Sequence, residues 1–145
     1  MSKYQDAVEM LRRAVEITPN DLIALQDLGS ALSGASEHEE AVRVNEQALK
    51  LDLNSISRWS DLAFAYLCAG NPDSALSASD SGLLIKANDT SCLAFKSTAL
   101  NHLKRRKEAG FILGLDRLIF QKQLTNIEGY ASIVSFNEAL YDCIK

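Results

Sequence analysis

Apolar residues recur at helical spacing in residues 57–78, SRWSDLAFAYLCAGNPDSALSA. A first stripe combines large and small apolar side chains: Trp59, Leu62, Ala63 and Tyr66. A second stripe begins at Ala75, after a Gly-Asn-Pro sequence. Gly70 is suited to ending the first helix, and Asn71 to capping the second. Pro72 fits the first helical position, where its missing N–H costs nothing. The segment therefore predicts two helices joined by a tight turn.

The same helix pair returns along the chain with a fixed step of 34 residues. Four sets of equivalent positions keep small or apolar side chains: Ala7, Ala41, Ala75 and Ala109; Leu25, Trp59 and Leu93; Leu32, Tyr66 and Leu100; and Ile17, Leu51, Ile85 and Ile119. Four alanines would rarely align in this way by chance. A period of this length is typical of an array of helical hairpins.

This pattern resembles the tetratricopeptide repeat family, in which Trp-x2-Leu-Gly-x2-Tyr is followed by Ala-x3-Phe-x2-Ala and then Pro. The resemblance covers roughly residues 2–120. It implies an all-α fold, a right-handed solenoid of about three repeats plus a half repeat, with a C-terminal capping segment. The expected divisions are a half repeat over 1–20, repeats over about 22–55, 56–89 and 90–120, and a loop with a capping helix over 121–145.

Several positions depart from the family pattern. Asn45 and Ser79 stand where an aromatic residue is usual, and Gly82 replaces an alanine. An interior glycine costs a helix about 1 kcal/mol relative to alanine, so we expect a close helix approach at Gly82.

Ser36 with Glu39 has the spacing of a capping box, which predicts a helix start there.

The pattern changes after residue 113. Alternating apolar residues over 117–124 fit an extended segment, although a loop or a helix stays open there, and a helical stripe follows over 131–145. LDRLIF and GYASIVSFNEAL, within residues 115–140, resemble the segment that joins tetratricopeptide repeats to a 2-oxoglutarate/iron oxygenase domain in some bacterial proteins. Such oxygenases use two histidines and a carboxylate. This chain has only His38 and His102, neither in a His-x-Asp pair. The resemblance therefore implies a neighbouring domain and no activity in this chain.

Composition narrows the function classes. The net charge of −4 argues against non-specific nucleic-acid binding, which needs a basic surface, and the basic run at 104–107 is interpreted as a solvated turn. Apolar runs fall short of the roughly 20 residues of a membrane span, and the N-terminal sequence lacks the apolar core of a signal peptide. Cys68, Cys92 and Cys143 are too widely spaced to suggest a disulfide framework. We expect a cytoplasmic protein, with Cys92 and Cys143 buried as small apolar residues.

The family resemblance implies a concave surface lined by the first helix of each repeat. The candidate partner-binding residues on that face are Asp27, Ser30, Asp61, Phe64, Leu67, Phe95, Asn101 and His102. Chaperone-binding members hold a C-terminal carboxylate with lysine, asparagine and arginine. The matching positions here are Gln26, Ser30, Asp61, Ser91 and Phe95, so that clamp is missing. The groove instead predicts a peptide with an apolar anchor and a basic residue.

Other interpretations remain open for the same residues. Phe64 and Phe95 would also fit simple packing against the next repeat or the C-terminal helix. Cys68 and His102 occupy equivalent positions in adjacent repeats, which raises the possibility of a metal site. Zinc needs three or four ligands, however, and the sequence indicates no others. We therefore expect no metal, no cofactor and no catalysis. The favoured function is a protein-interaction scaffold; the alternatives are a substrate-docking region of a larger oxygenase and a homodimer formed through the terminal helices.

Overall fold

A computed structural model describes residues 3–112 and residue 114. The chain divides into two units, Met1–Leu115 and Asp116–Lys145, and only the first is described below. Its helices run, in chain order, α1 Lys3–Ile17, α2 Leu22–Gly34, α3 His38–Leu51, α4 Ile56–Cys68, α5 Pro72–Ile85, α6 Thr90–His102 and α7 Arg106–Ile112. Residues 117–124, for which a strand, a loop and a helix are all open, lie outside the described residues, as do the capping helix predicted over 131–145 and Cys143.

Each helix packs against the next one in the chain, which is the arrangement of stacked helical hairpins. The helices α2, α4 and α6 form a second set of contacts, α2 with α4 and α4 with α6. In the described part of the chain α3 and α5 make no such contact with each other. The first helices of the hairpins therefore form an inner layer, and α3 and α5 form an outer layer.

The turn between α4 and α5 confirms the prediction made from its sequence. Gly70 takes a positive φ of 72°, and the Asn71 side chain accepts a hydrogen bond from the Ser74 amide at 3.2 Å. Pro72 occupies the first turn of α5. Here the residues that end one helix and start the next are the ones that local backbone chemistry favours.

The capping box predicted at Ser36 and Glu39 is wrong. Ser36 has a positive φ of 64°, and α3 begins one residue after Glu37, which makes no side-chain capping bond. The Glu37 amide instead donates to the Leu32 carbonyl at 2.9 Å, the bond that closes a Schellman turn. Ser36 therefore ends α2 in the left-handed conformation, the role that Gly70 has one repeat later.

The predicted close approach at Gly82 is confirmed. A Cβ at this position would lie 2.6 Å from the Cys92 sulfur and 3.2 Å from the Trp59 Cβ. Cys92 is itself fully buried, as expected, and burial, aided by a hydrogen bond with Asp89, raises its pKa to about 11. The thiol of Cys92, on α6, is therefore a group that packs against α5 at Gly82.

Ion pairs connect the first helix, α1, to the outer layer. The Arg12 guanidinium donates to Glu37 and to Glu40, at 2.6 Å in both cases. These contacts lower the pKa of Glu40, chiefly through the hydrogen bond from Arg12. Because both carboxylates belong to the start of α3, the interaction fixes α1 against the first full hairpin.

Candidate partner-binding surface

The predicted binding residues all lie on the inner helices α2, α4 and α6. Three of them, Ser30, Asp61 and Phe64, line one cleft of about 280 Å³ between α2 and α4. The Phe64 ring packs against the Phe95 ring of α6, with centroids 5.7 Å apart and planes tilted by 40°. The structure therefore brings four predicted residues into one continuous surface, hereafter the α2–α4 cleft and its aromatic pair.

The other four predicted residues do not line this cleft. Asp27 is exposed on α2, Leu67 is half-buried near the end of α4, and Asn101 and His102 are exposed at the end of α6. They share the inner helices but lie outside the cleft lining.

The two phenylalanines have different environments. Phe95 is half-buried and packs against a core cluster that includes Leu62 and Ala63. Phe64 leaves 43% of its surface exposed. Simple packing therefore accounts for much of Phe95, whereas the exposed ring of Phe64 is free to contact a ligand.

Sequence reasoning missed the residues that shape the cleft. Gly29 and Gly34 lie on its α2 wall, and Tyr4 reaches it from α1. A Cβ on Gly34 would lie 2.5 Å from the Tyr4 ring, and one on Gly29 would lie 2.8 Å from the Asn45 side-chain nitrogen. Both glycines are therefore positions of close approach; the spacing of small residues at 29, 30, 33 and 34 was the available signal.

The cleft carries one half-buried carboxylate. Burial raises the pKa of Asp61, and the positive charge of Arg58 acts in the opposite direction. The Arg58 side chain is only 12% exposed and lies 4.0 Å from the Asp52 carboxylate. Desolvation dominates at Asp61 because no hydrogen bond within the described residues offsets it.

The described residues contain neither a metal-binding cluster nor a membrane-spanning helix. Histidine, cysteine, aspartate and glutamate side chains there form no group of three that could hold a metal ion. None of the helices in residues 3–112 combines the length and the apolar character needed to cross a bilayer.

Comparison with solved structures identifies the fold. This chain superposes on a crystal structure of MamA with a TM-score of 0.69 at 23% identity, over 77% of this chain and 65% of that one. A second MamA crystal structure gives 0.70 at 22% identity, over 85% and 70%. MamA from Desulfovibrio magneticus RS-1, residues 41 to the end, gives 0.70 at 16%, over 81% and 69%.

The chain shares its fold with MamA. MamA is a tetratricopeptide-like helical solenoid, so the predicted helical solenoid is confirmed for the part of the chain that the structure describes. The chain spans about two thirds of the length of these MamA chains. No protein-family model matches the sequence, and no curated protein matches it either. The likeness of residues 115–140 to an oxygenase-linking segment stays a prediction.

Proposed function

We propose that this chain is a non-catalytic scaffold that binds a protein or peptide partner on its inner helical layer. The observation that carries the proposal is the Phe64–Phe95 pair, which presents an exposed aromatic ring beside the α2–α4 cleft. Aromatic side chains near the centre of a concave surface are frequent anchors of protein interfaces. The predicted cytoplasmic location and the predicted homodimer through the terminal helices stay predictions.

The physical basis of this binding is a surface that needs little reorganisation. Phe95 is held by the core around Leu62, and Phe64 packs on Phe95, so the aromatic pair is fixed before a ligand arrives. A ligand that buries the exposed part of Phe64 gains roughly 25 cal/mol for each Å² of apolar surface removed from water. Because the scaffold is already ordered, less of that gain is lost to conformational entropy.

Affinity capture with variants tests the proposal. The full chain would be immobilised as wild type, as the double variant Phe64→Ala/Phe95→Ala, and as Leu84→Ala, and proteins retained from source-cell extract would be quantified by mass spectrometry. Leu84 is the matched control because it is 89% exposed on α5, in the outer layer. We expect the wild type and Leu84→Ala to retain the same proteins and the double variant to lose them, with helical circular dichroism retained. Equal capture by all three would contradict the proposal.

A further inference from the structure

The chemical character of the α2–α4 cleft suggests which kind of residue a partner places there, and this inference rests on the proposed function. The cleft joins the Asp61 carboxylate with two aromatic side chains, Tyr4 and Phe64. Its remaining lining includes the hydroxyls of Ser30 and Ser33 and the glycines of α2. Negative charge and aromatic rings in one small cavity are a combination that attracts cations.

Neither cation of the inner helices forms an ion pair with Asp61. The charged side chains of α2, α4 and α6 are Asp27, Arg58, Asp61 and Lys96. Lys96 lies 2.6 Å from the Asp80 carboxylate of α5, and Arg58 lies 4.0 Å from Asp52. Asp61 feels the charge of Arg58 without a direct contact, and Asp27 is exposed outside the cleft. The cleft therefore holds a carboxylate whose charge is incompletely compensated in the free protein.

A partially desolvated carboxylate gains most from a cation that also donates hydrogen bonds. Asp61 is half-buried in the cleft, so part of its hydration has already been removed, which raises its pKa. A guanidinium supplies charge, a planar fork of donors and a face that stacks on aromatic rings, whereas an ammonium supplies only charge and donors. Since Tyr4 and Phe64 line the same cleft, arginine fits its chemistry better than lysine.

We infer that the α2–α4 cleft receives an arginine side chain of the bound partner, whose guanidinium pairs with Asp61 while a neighbouring apolar residue of the same partner packs on Phe64 and Phe95. The recognition element is then a short peptide segment with one arginine at a fixed distance from one large apolar residue. Asp61 supplies selectivity for the cation, and the aromatic pair supplies apolar contact area.

Selection from a displayed library of random peptides tests the arginine. The library would be selected on the full chain as wild type, as Asp61→Asn, as Asp73→Asn and as Phe64→Ala/Phe95→Ala. We expect wild type and Asp73→Asn to enrich peptides with an arginine near an apolar residue, and Asp61→Asn to lose the arginine preference only. Asp73→Asn is the matched control because it removes an exposed carboxylate from α5, in the outer layer.

A chemical substitution in the selected peptide makes the test quantitative. Replacing its arginine with citrulline, a neutral side chain of nearly the same shape, should weaken wild-type binding about tenfold, the loss expected for a charge-assisted hydrogen bond. The same replacement should cost Asp61→Asn nothing. An equal loss in both proteins, or no arginine enrichment by the wild type, would overturn the inference and leave the scaffold function standing. No enrichment over the Phe64→Ala/Phe95→Ala variant would overturn both.

Discussion

The two complete hairpins, α2–α3 and α4–α5, solve the same packing problem with different residues. At equivalent positions, the first uses Gly29 and Asn45, and the second uses Ala63 and Ser79. Asn45 and Ser79 are both buried, and each donates at 2.8 Å to the carbonyl four residues earlier, in Ala41 and in Ala75. In the first hairpin the inner residue is smaller, and the outer residue larger, than in the second. The combined side-chain volume of the pair is therefore similar in the two hairpins.

The inner faces of the two hairpins show no such compensation in side-chain size. Ser30 and Gly34 in the first hairpin correspond to Phe64 and Cys68 in the second. The small residues of α2 leave space for the cleft, and the aromatic residue of α4 stands at its edge. The candidate site therefore arises from the difference between two equivalent hairpins, and neither hairpin would form it alone.

Converting the first hairpin to the packing of the second should give the largest effect. Gly29→Ala places a Cβ 2.8 Å from the Asn45 side chain, so we expect a loss of about 1–3 kcal/mol in the free energy of unfolding. Asn45→Ser in the same chain, which recreates the pair of the second hairpin, should recover most of that loss. Urea unfolding of the two single variants and the double variant measures the coupling.

Gly110→Ala is the matched control for the Gly29 experiment. Gly110 lies in α7, and a Cβ there would meet no atom of the described residues within 4 Å. This variant should gain up to about 1 kcal/mol, since alanine favours a helix over glycine. Equal stability of Gly29→Ala and the wild type, or no recovery with Asn45→Ser, would show that the exchange of side-chain size between the hairpins has no energetic role.

Introducing glycine at one of the two equivalent turns and removing it from the other should change the free energy of unfolding in opposite directions. Ser36 and Gly70 both have positive φ, 64° and 72°. Ser36→Gly should raise the free energy of unfolding by about 1 kcal/mol because glycine avoids the strain of that conformation. Gly70→Ala should lower it by a similar amount, through the backbone alone, since among residues 3–112 no atom lies within 4 Å of the added Cβ. Thermal unfolding measures both, and a stabilised Gly70→Ala would contradict the interpretation of these turns.

The smallest expected effect is a difference in melting temperature between variants of the equivalent residues Asp61 and Asp27. The pKa of Asp61 is raised by burial, so its ionised form destabilises the fold; the penalty is absent below the ordinary aspartate pKa of about 3.9 and complete above the raised value. Asp61→Asn should therefore raise the melting temperature at pH 7 by a few degrees or less, and the gain should vanish near pH 3. Asp27→Asn should change the melting temperature little at pH 7. A destabilised Asp61→Asn at pH 7 would mean that the carboxylate already has a partner in the free protein.

The sequence alone could predict the helices and the inner layer because both depend on local pattern. The step of 34 residues places α2, α4 and α6 at equivalent positions, and Asn71 with Pro72 starts α5 through bonds within one turn. The same reasoning failed at Ser36, whose backbone conformation follows from how α2 meets α3 and not from its own preference. A serine hydroxyl suits a cap, but the Schellman bond between Glu37 and Leu32 decides the turn.

The candidate site could be predicted only in part, for a related reason. Asp61 and Phe64 could be predicted because their register on α4 fixes the face they occupy. Tyr4 could not be predicted, since it belongs to α1 and reaches the cleft only through its packing over Gly34. The shape of the cleft depends on contacts between helices distant in sequence, which no local pattern encodes.

The most direct test of the scaffold account is to map a bound peptide on the full chain by NMR. A peptide selected on the wild type would be titrated into isotope-labelled protein, and amide shifts would be followed residue by residue. The account predicts shifts concentrated on α2, α4 and α6 around Asp61, Phe64 and Phe95, and their loss in Phe64→Ala/Phe95→Ala. Shifts concentrated on the outer helices α3 and α5, with the inner layer unchanged, would contradict it.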